Sequence, residues 1–196
     1  MRGFVLATTN PAKVREVRFL LRGRAIAIRA LADLPPLPEP EETGDTFEVN
    51  ARLKALYYAA AIPGLVISED SGLEVDAMQG EPGVRSARYL SPSASYPERF
   101  AAILGRLHGV PAADRGARFV CAVAVAAGPR VLFEARGMVE GRISDAPAGS
   151  GGFGYDPIFF SPELGCTLAE AGDAKAAVSH RGRAFTALAR WLEDLE

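Results

Sequence analysis

Four short stretches of this 196-residue chain carry residue types that could bind phosphate and activate water. In Thr8-Thr9-Asn10-Pro11-Ala12-Lys13, a polar turn precedes Val14, Val17, Leu20 and Leu21 at helical spacing. Asn10 is a good N-cap, and Pro11 stands at the first helical position, where proline is favoured. The free N–H groups and positive dipole end of such a helix form an anion site, to which Lys13 adds a formal charge. Taken alone, an ordinary capped helix with a solvated lysine also accounts for the pattern. In Ser68-Glu69-Asp70-Ser71-Gly72, adjacent carboxylates fall at the expected end of a strand, poorly placed for a core and well placed for a hard cation. Magnesium takes one or two carboxylates plus substrate phosphates. Glu41-Glu42, after a proline-rich loop, could supply further oxygens, although an isolated acidic turn is as readily solvated.

The third stretch, Gly149 to Asp156, spells G-x-G-x-x-G, but the run Pro157 to Phe160 that follows is extended rather than helical. A dinucleotide fingerprint must open a helix, so this match is set aside. What remains is a loop presenting Phe153 and Tyr155 for stacking on a flat ring, or a structural bulge holding two packed aromatics. The fourth stretch is Lys175 with Ser179-His180-Arg181-Gly182. Ser179 is a plausible N-cap, which puts two basic side chains in a first helical turn, against the macrodipole. Local stability does not explain them, whereas an acceptor-rich ligand would. His180 has no companions at zinc spacing, and neither a Walker A loop nor a Gly-x-Ser-x-Gly elbow occurs.

The elements that must position these residues alternate. Gly3 to Ala7 and Arg24 to Ala30 read as strands, Leu34 to Pro40 as a loop, and Thr46 to Ala61 as a helix with Phe47, Ala51, Ala55 and Tyr58 on one stripe. Leu65 to Ser68 and Leu73 to Ala77 read as extended, Gly80 to Pro97 as irregular, and Tyr96 to His108 as helical. Ala117 to Ala127 and Arg130 to Arg136 form an expected hairpin that Met138 to Ile143 continues. A last helix from about His180 turns Phe185, Leu188, Ala189, Leu192 and Leu195 inward. This order predicts an α/β protein with a mixed sheet.

Composition excludes several classes. With 48% hydrophobic and 23% charged residues the chain is not disordered. Its size suits one domain or two tightly joined lobes. A formal net charge of −2 argues against a generic polyanion binder. Two cysteines, Cys121 and Cys166, fit a reducing compartment and exclude a Cys-rich zinc site. No stretch reaches the roughly 18 apolar residues of a membrane span. The apolar run near Met1 is too short for a signal peptide, so the expected location is cytoplasmic. Only Lys13, Lys54 and Lys175 are lysines among 22 basic side chains. A thermophile or a GC-rich genome explains this equally well.

Taken in order, the motifs resemble the inosine triphosphate pyrophosphatase family, which hydrolyses non-canonical purine nucleoside triphosphates. The matching residues are Thr8-Thr9-Asn10 with Lys13 and Glu16; Glu41-Glu42-Thr43-Gly44 with Thr46-Phe47 and Asn50-Ala51; Asp70-Ser71-Gly72-Leu73; Pro82-Gly83 with Ser86-Ala87-Arg88-Tyr89; Gly151 to Pro157; and Lys175 with Ser179 to Gly182. The resemblance implies one nucleotide-pyrophosphatase domain over 1–196, built as a twisted mixed sheet with flanking helices and two lobes around a central cleft. It also implies a Mg2+ requirement, a homodimer, a nucleoside triphosphate as the small-molecule substrate, and no nucleic-acid or membrane partner. Carried over residue by residue, Thr8, Thr9, Asn10 and Lys13 hold the triphosphate, with Ser71 and Lys175 also contacting substrate. Asp70 is the essential carboxylate, as general base or metal ligand. Glu41 is the expected second metal carboxylate, with Glu42 its rival. Phe153 stacks on the base beside Gly154 and Tyr155, while Asp156, His180 and Arg181 read the base edge.

Overall fold

In a computed structural model, which describes residues 2–24 and 26–194, the chain opens with β1 (Arg2–Leu6). Phe4, Val5 and Leu6 are all buried, as expected of a strand inside a parallel sheet with both faces covered. The polar turn then starts α1 (Pro11–Leu20) as the sequence predicts: Asn10 Oδ1 accepts from the backbone N–H groups of Ala12 (2.9 Å) and Lys13 (3.3 Å). Val14 and Val17 face inward. β2 (Ile26–Ala30) starts later than the expected strand; Ala25, which that strand included, lies outside the described residues. After the proline-rich loop, α2 (Phe47–Ala61) is capped by Thr46 and buries the predicted stripe of Phe47, Ala51, Ala55 and Tyr58.

β3 (Leu65–Val75) departs from the expectation. The Ser68-Glu69-Asp70-Ser71-Gly72 segment does not end the strand; the strand runs through it for 11 residues. Glu69 and Asp70 are buried, at 2% and 6% exposure. The physical reason is pairing: cations and amides from other elements meet both carboxylates, so burial does not leave them bare.

α3 (Tyr96–Arg106) begins with a Ser95–Glu98 capping box, and a 3-10 helix over Gly83–Arg88 orders part of the segment read as irregular. β4 (Gly116–Ala127) and β5 (Arg130–Ile143) are joined through Gly128 and Pro129, and β5 takes in Met138 to Ile143 as one long strand. Two short strands follow, β6 (Phe159–Ser161) and β7 (Cys166–Thr167), then α4 (Lys175–Val178) and α5 (His180–Glu193). Leu195, expected on the inner face of α5, lies outside the described residues. Among the described residues the seven strands form one sheet of order β2-β1-β3-β4-β5-β6-β7. It is mixed: β1 pairs in parallel with β2 and β3, while β6 pairs antiparallel with β5 and β7. Among the described residues no helix is long and apolar enough to cross a membrane.

The chain forms two compact units. Unit 1 comprises Met1–Asp70, Cys121–Gly137 and Arg181–Glu196. Its core joins Phe4 and Leu6 of β1, Val14 and Val17 of α1, Ile67 of β3, Val123 and Val125 of β4, and Phe185 and Leu188 of α5. Unit 2 comprises Ser71–Val120 and Met138–His180. Its core joins Leu73 and Val75 of β3, Phe100 and Ile103 of α3, Phe119, Val139, Tyr155, Ile158 and Phe159.

Candidate active site

In unit 1 the sheet register decides which residues meet. Leu6, the last residue of β1, pairs with Ile67, so β3 continues beyond β1 just where β1 gives way to the Thr8–Asn10 turn. The carboxyl ends of parallel strands are where open α/β sheets take their ligands. Residues 68–70 extend β3 past that edge, and Lys13, in the first turn of α1, reaches them. Its Nζ lies 2.7 Å from Glu69 Oε1.

Neighbouring residues of a strand point to opposite faces, and Glu69 and Asp70 use this to keep different company. Glu69 faces cations. Besides Lys13 it meets Arg181 at the start of α5, whose Nη2 is 3.4 Å from Glu69 Oε2, while Arg181 Nη1 donates to Glu16. Cys121 Sγ donates to the same Glu69 oxygen at 3.4 Å. Burial opposes charge on Glu69, but Arg181 and then Lys13 outweigh it and hold its carboxyl well below the usual range.

Asp70 faces α2. Asn50 Nδ2 donates to Asp70 Oδ2 at 3.1 Å, and Lys54 Nζ lies 3.6 Å from Asp70 Oδ1. Asn50 and Lys54 are one helical turn apart and so share a face. Lys54 Nζ is also 2.6 Å from Glu42 Oε1, which brings two carboxylates to one ammonium. Burial raises the proton affinity of Asp70; Lys54 opposes it and Glu42 adds to it, and the net shift is upward. Burial works against the charge of Lys54, yet Asp70 and Glu42 push its pKa up. Asn50 also clamps the loop that carries Glu42, accepting from Gly44 N–H at 2.8 Å and donating to Gly44 O at 3.2 Å. A Cβ on Gly44 would fall 2.7 Å from Asn50 Oδ1 and 2.6 Å from Val49 Cγ1, so only glycine fits there.

The remaining unit 1 expectations lie around this cluster. Thr8 Oγ1 accepts from Asn10 N–H at 3.2 Å, and Thr9 Oγ1 donates to Glu39 at 2.8 Å. Glu41 is exposed, and it is Glu42 that the structure brings to Lys54. Arg181 is 1% exposed. Its place against the helix dipole is accounted for by Glu16 and Glu69, an ion-paired explanation beside the acceptor-rich ligand that the sequence suggested.

In unit 2 the glycine loop is organised by Asp156. Its Oδ2 accepts from Phe153 N–H and from Lys175 Nζ, both at 2.8 Å. Gly152 has φ +68, and a Cβ there would sit 2.1 Å from the same oxygen. Lys175 Nζ lies 5.1 Å from the centre of the Phe153 ring. Phe153 and Gly154 are half-buried, while Tyr155 is buried and takes the packed-aromatic alternative of the sequence reading. Its ring packs edge-on against Tyr96 at 5.4 Å, and its hydroxyl donates to Ser86 O at 2.8 Å. The phenol belongs to the core, and burial pushes its pKa up. His180 stacks on Phe119 at 4.8 Å between ring centres. Ser71 is half-buried at the start of the unit 2 part of β3.

The chain that carries this carboxylate pair has relatives in sequence and in structure. A sequence profile of the Ham1 family matches residues 4–191. The chain belongs to the Ham1 family. Curated relatives named dITP/XTP pyrophosphatase include that of Symbiobacterium thermophilum, 51% identical over 195 residues and covering 97% of this chain and 93% of that protein. The protein of the same name from Geobacillus kaustophilus is 44% identical over 196 residues, covering 100% of this chain and 96% of its own. A solved HAM1 protein from Coxiella burnetii superposes with TM-score 0.89 at 37% identity, covering 99% of this chain and 100% of that one. The Staphylococcus aureus Ham1 protein gives 0.88 at 36%, covering both chains in full.

For this Ham1 chain, sequence reasoning gave no role to Lys54, Asn50 or Gly44. A signal was present for the first two. Lys54 is one of three lysines in an arginine-rich chain, and it shares with Asn50 an i, i+4 spacing on a predicted helix.

Proposed function

We propose that the chain hydrolyses non-canonical purine nucleoside triphosphates (ITP, dITP and XTP) to the nucleoside monophosphate and pyrophosphate, removing them from the nucleotide pool. The observation that carries this reading is Asp70: a buried carboxylate of raised proton affinity, oriented by Asn50 and Lys54, beside a helix N-terminus armed with Lys13. Relatives named for dITP and XTP over nearly the whole chain supply the substrate class.

The residues divide the work by chemistry. Lys13 at the positive dipole end of α1, with Thr8, Thr9 and Asn10, offers side-chain donors and positive charge to the triphosphate. Asp70 accepts a proton from the attacking water, and raised proton affinity is the direction that makes a carboxylate a better base. Lys54 keeps Asp70 and Glu42 in place and opposes the charge accumulating at phosphorus. In unit 2, Phe153 stacks on the base, with Gly154 and Tyr155 shaping its loop, while Asp156 and Lys175 fix that loop and Ser71 contacts substrate. His180 supplies a donor to the base edge, and base reading by Arg181 rests on the resemblance alone. A 6-keto purine can accept from such donors, which favours hypoxanthine and xanthine over adenine.

Mg2+ is the proposed cofactor. The donor set fits it, since Glu42 and Asp70 are hard-oxygen carboxylates that converge on one cation, the Lys54 ammonium. When bound, the ion would neutralise phosphate charge. Glu42 is the preferred partner of Asp70 in this role, ahead of Glu41. We further propose that residues 1–196 work as one catalytic domain in a cytoplasmic homodimer. The exposed Val49 and Tyr57 on α2, and two cysteines in free form, support that reading. The test is kcat/KM for ITP, dITP, XTP, GTP and ATP with Mg2+, together with sedimentation for the dimer. Preference for the first three supports the assignment, and equal turnover of ATP contradicts it.

A further inference from the structure

We propose that Glu69 is a positioning residue for Lys13, an inference that rests on the reading above. Four side chains of unit 1 alternate in sign: Glu16 meets Arg181, Arg181 meets Glu69, and Glu69 meets Lys13. Glu69 has no exposed side-chain surface and Arg181 has 1%, whereas Lys13 keeps 17%. The chain is therefore anchored at its buried end and open at its lysine end.

An ammonium has three donors. The 2.7 Å contact with Glu69 Oε1 engages one and fixes the direction in which the lysine stem points. A lysine left to solvent samples many rotamers and must lose that freedom when phosphate arrives. A lysine held on Glu69 has lost it already, so more of its interaction with phosphate appears in binding and rate. Arg181 sets the carboxylate, and Glu16, one helical turn from Lys13 on α1, sets the guanidinium. The first turn of α1 is thus tied to α5 through β3. Glu69 needs no contact with substrate to do this; it acts through Lys13.

A double-mutant cycle with dITP tests the proposal. Glu69→Gln should lower kcat/KM by about 10²-fold, the scale of a misplaced binding group. In a Lys13→Met background the same change should alter kcat/KM by less than about threefold, because the group through which Glu69 acts is gone. In a Lys175→Met background, where the lysine pairs with Asp156 instead, the loss should return in full. Glu69→Asp keeps the charge next to Arg181 and is read in the same way if the Gln variant fails to fold. A loss that persists undiminished without Lys13, or no loss at all, overturns the proposal. If the wild-type protein releases no pyrophosphate from dITP, the functional reading has failed instead, and the two failures are told apart by the wild type alone.

Discussion

Glu69 meets two cations, Lys13 and Arg181, whereas Asp70, one peptide unit along the same strand, meets an amide and an ammonium that it shares with Glu42. The first is held ionised, while the second has its proton affinity raised. Both are carboxylates on β3 and both are buried, so neither residue type nor depth separates them. The strand pleat does, by sending one side chain towards α1 and α5 and the other towards α2. Titratable neighbours whose surroundings push them in opposite directions are a mark of acid–base work. The difference fits the proposed roles: Asp70 as the base, Glu69 as the residue that holds Lys13 in place.

The strongest test of that division is Asp70→Asn, which should reduce turnover of dITP by ~10²–10⁴-fold, the cost of losing one positioned acid–base group. In metal-free buffer at neutral pH the same variant should melt no lower than wild type, because burial disfavours the charge it removes. Activity within about threefold of wild type would take Asp70 out of the mechanism.

Glu69→Gln, besides its effect through Lys13, should carry a stability loss of ~3–5 kcal/mol, since it leaves Arg181 and Lys13 facing a neutral amide. The pH dependence carries the sign. A carboxyl held well below its ordinary value of 4.5 stabilises the fold fully above that pH and loses the contribution progressively as pH falls from there towards its depressed folded value. Wild-type melting temperature should therefore fall on acidification below about pH 5, and the Gln variant should lose part of that slope. Asp70 acts with the opposite sign, favouring the fold when protonated, so Asp70→Asn should steepen the acid limb. Equal slopes in the three proteins would erase the contrast.

Smaller effects sharpen it. Gly44→Ala forces a Cβ against Asn50 and Val49 and should cost ~1–3 kcal/mol. Its kcat/KM should fall as well, because Asn50 orients Asp70. Arg18→Ala breaks an exposed ion pair with Asp33 at 3.3 Å and should cost no more than ~1 kcal/mol with unchanged turnover. Chemical denaturation and dITP kinetics on the same preparations check both.

Much of the fold was legible because local rules and tertiary structure agree there. The apolar run of β1, the Asn10–Pro11 start of α1 and the buried stripe of α2 all follow from periodicity and capping. Residues 68–72 were misread because they look like a solvated acidic turn. The partners that allow their burial lie far off in sequence: Arg181 is 112 residues from Glu69, and Asn50 is 20 from Asp70. Tyr155 stayed open between stacking and packing for a related reason, since its hydroxyl partner Ser86 is 69 residues away. Local pattern reports which residues are polar; it does not report which of them find a partner inside.

In the proposed reaction Asp70 directs water at the α-phosphorus of a non-canonical purine triphosphate. Hydrolysis of dITP in ¹⁸O-water, followed by phosphorus NMR, tests it most directly. One labelled oxygen is expected in deoxyinosine monophosphate, with unlabelled pyrophosphate as the other product. Label in pyrophosphate, or orthophosphate and a nucleoside diphosphate as first products, would contradict it.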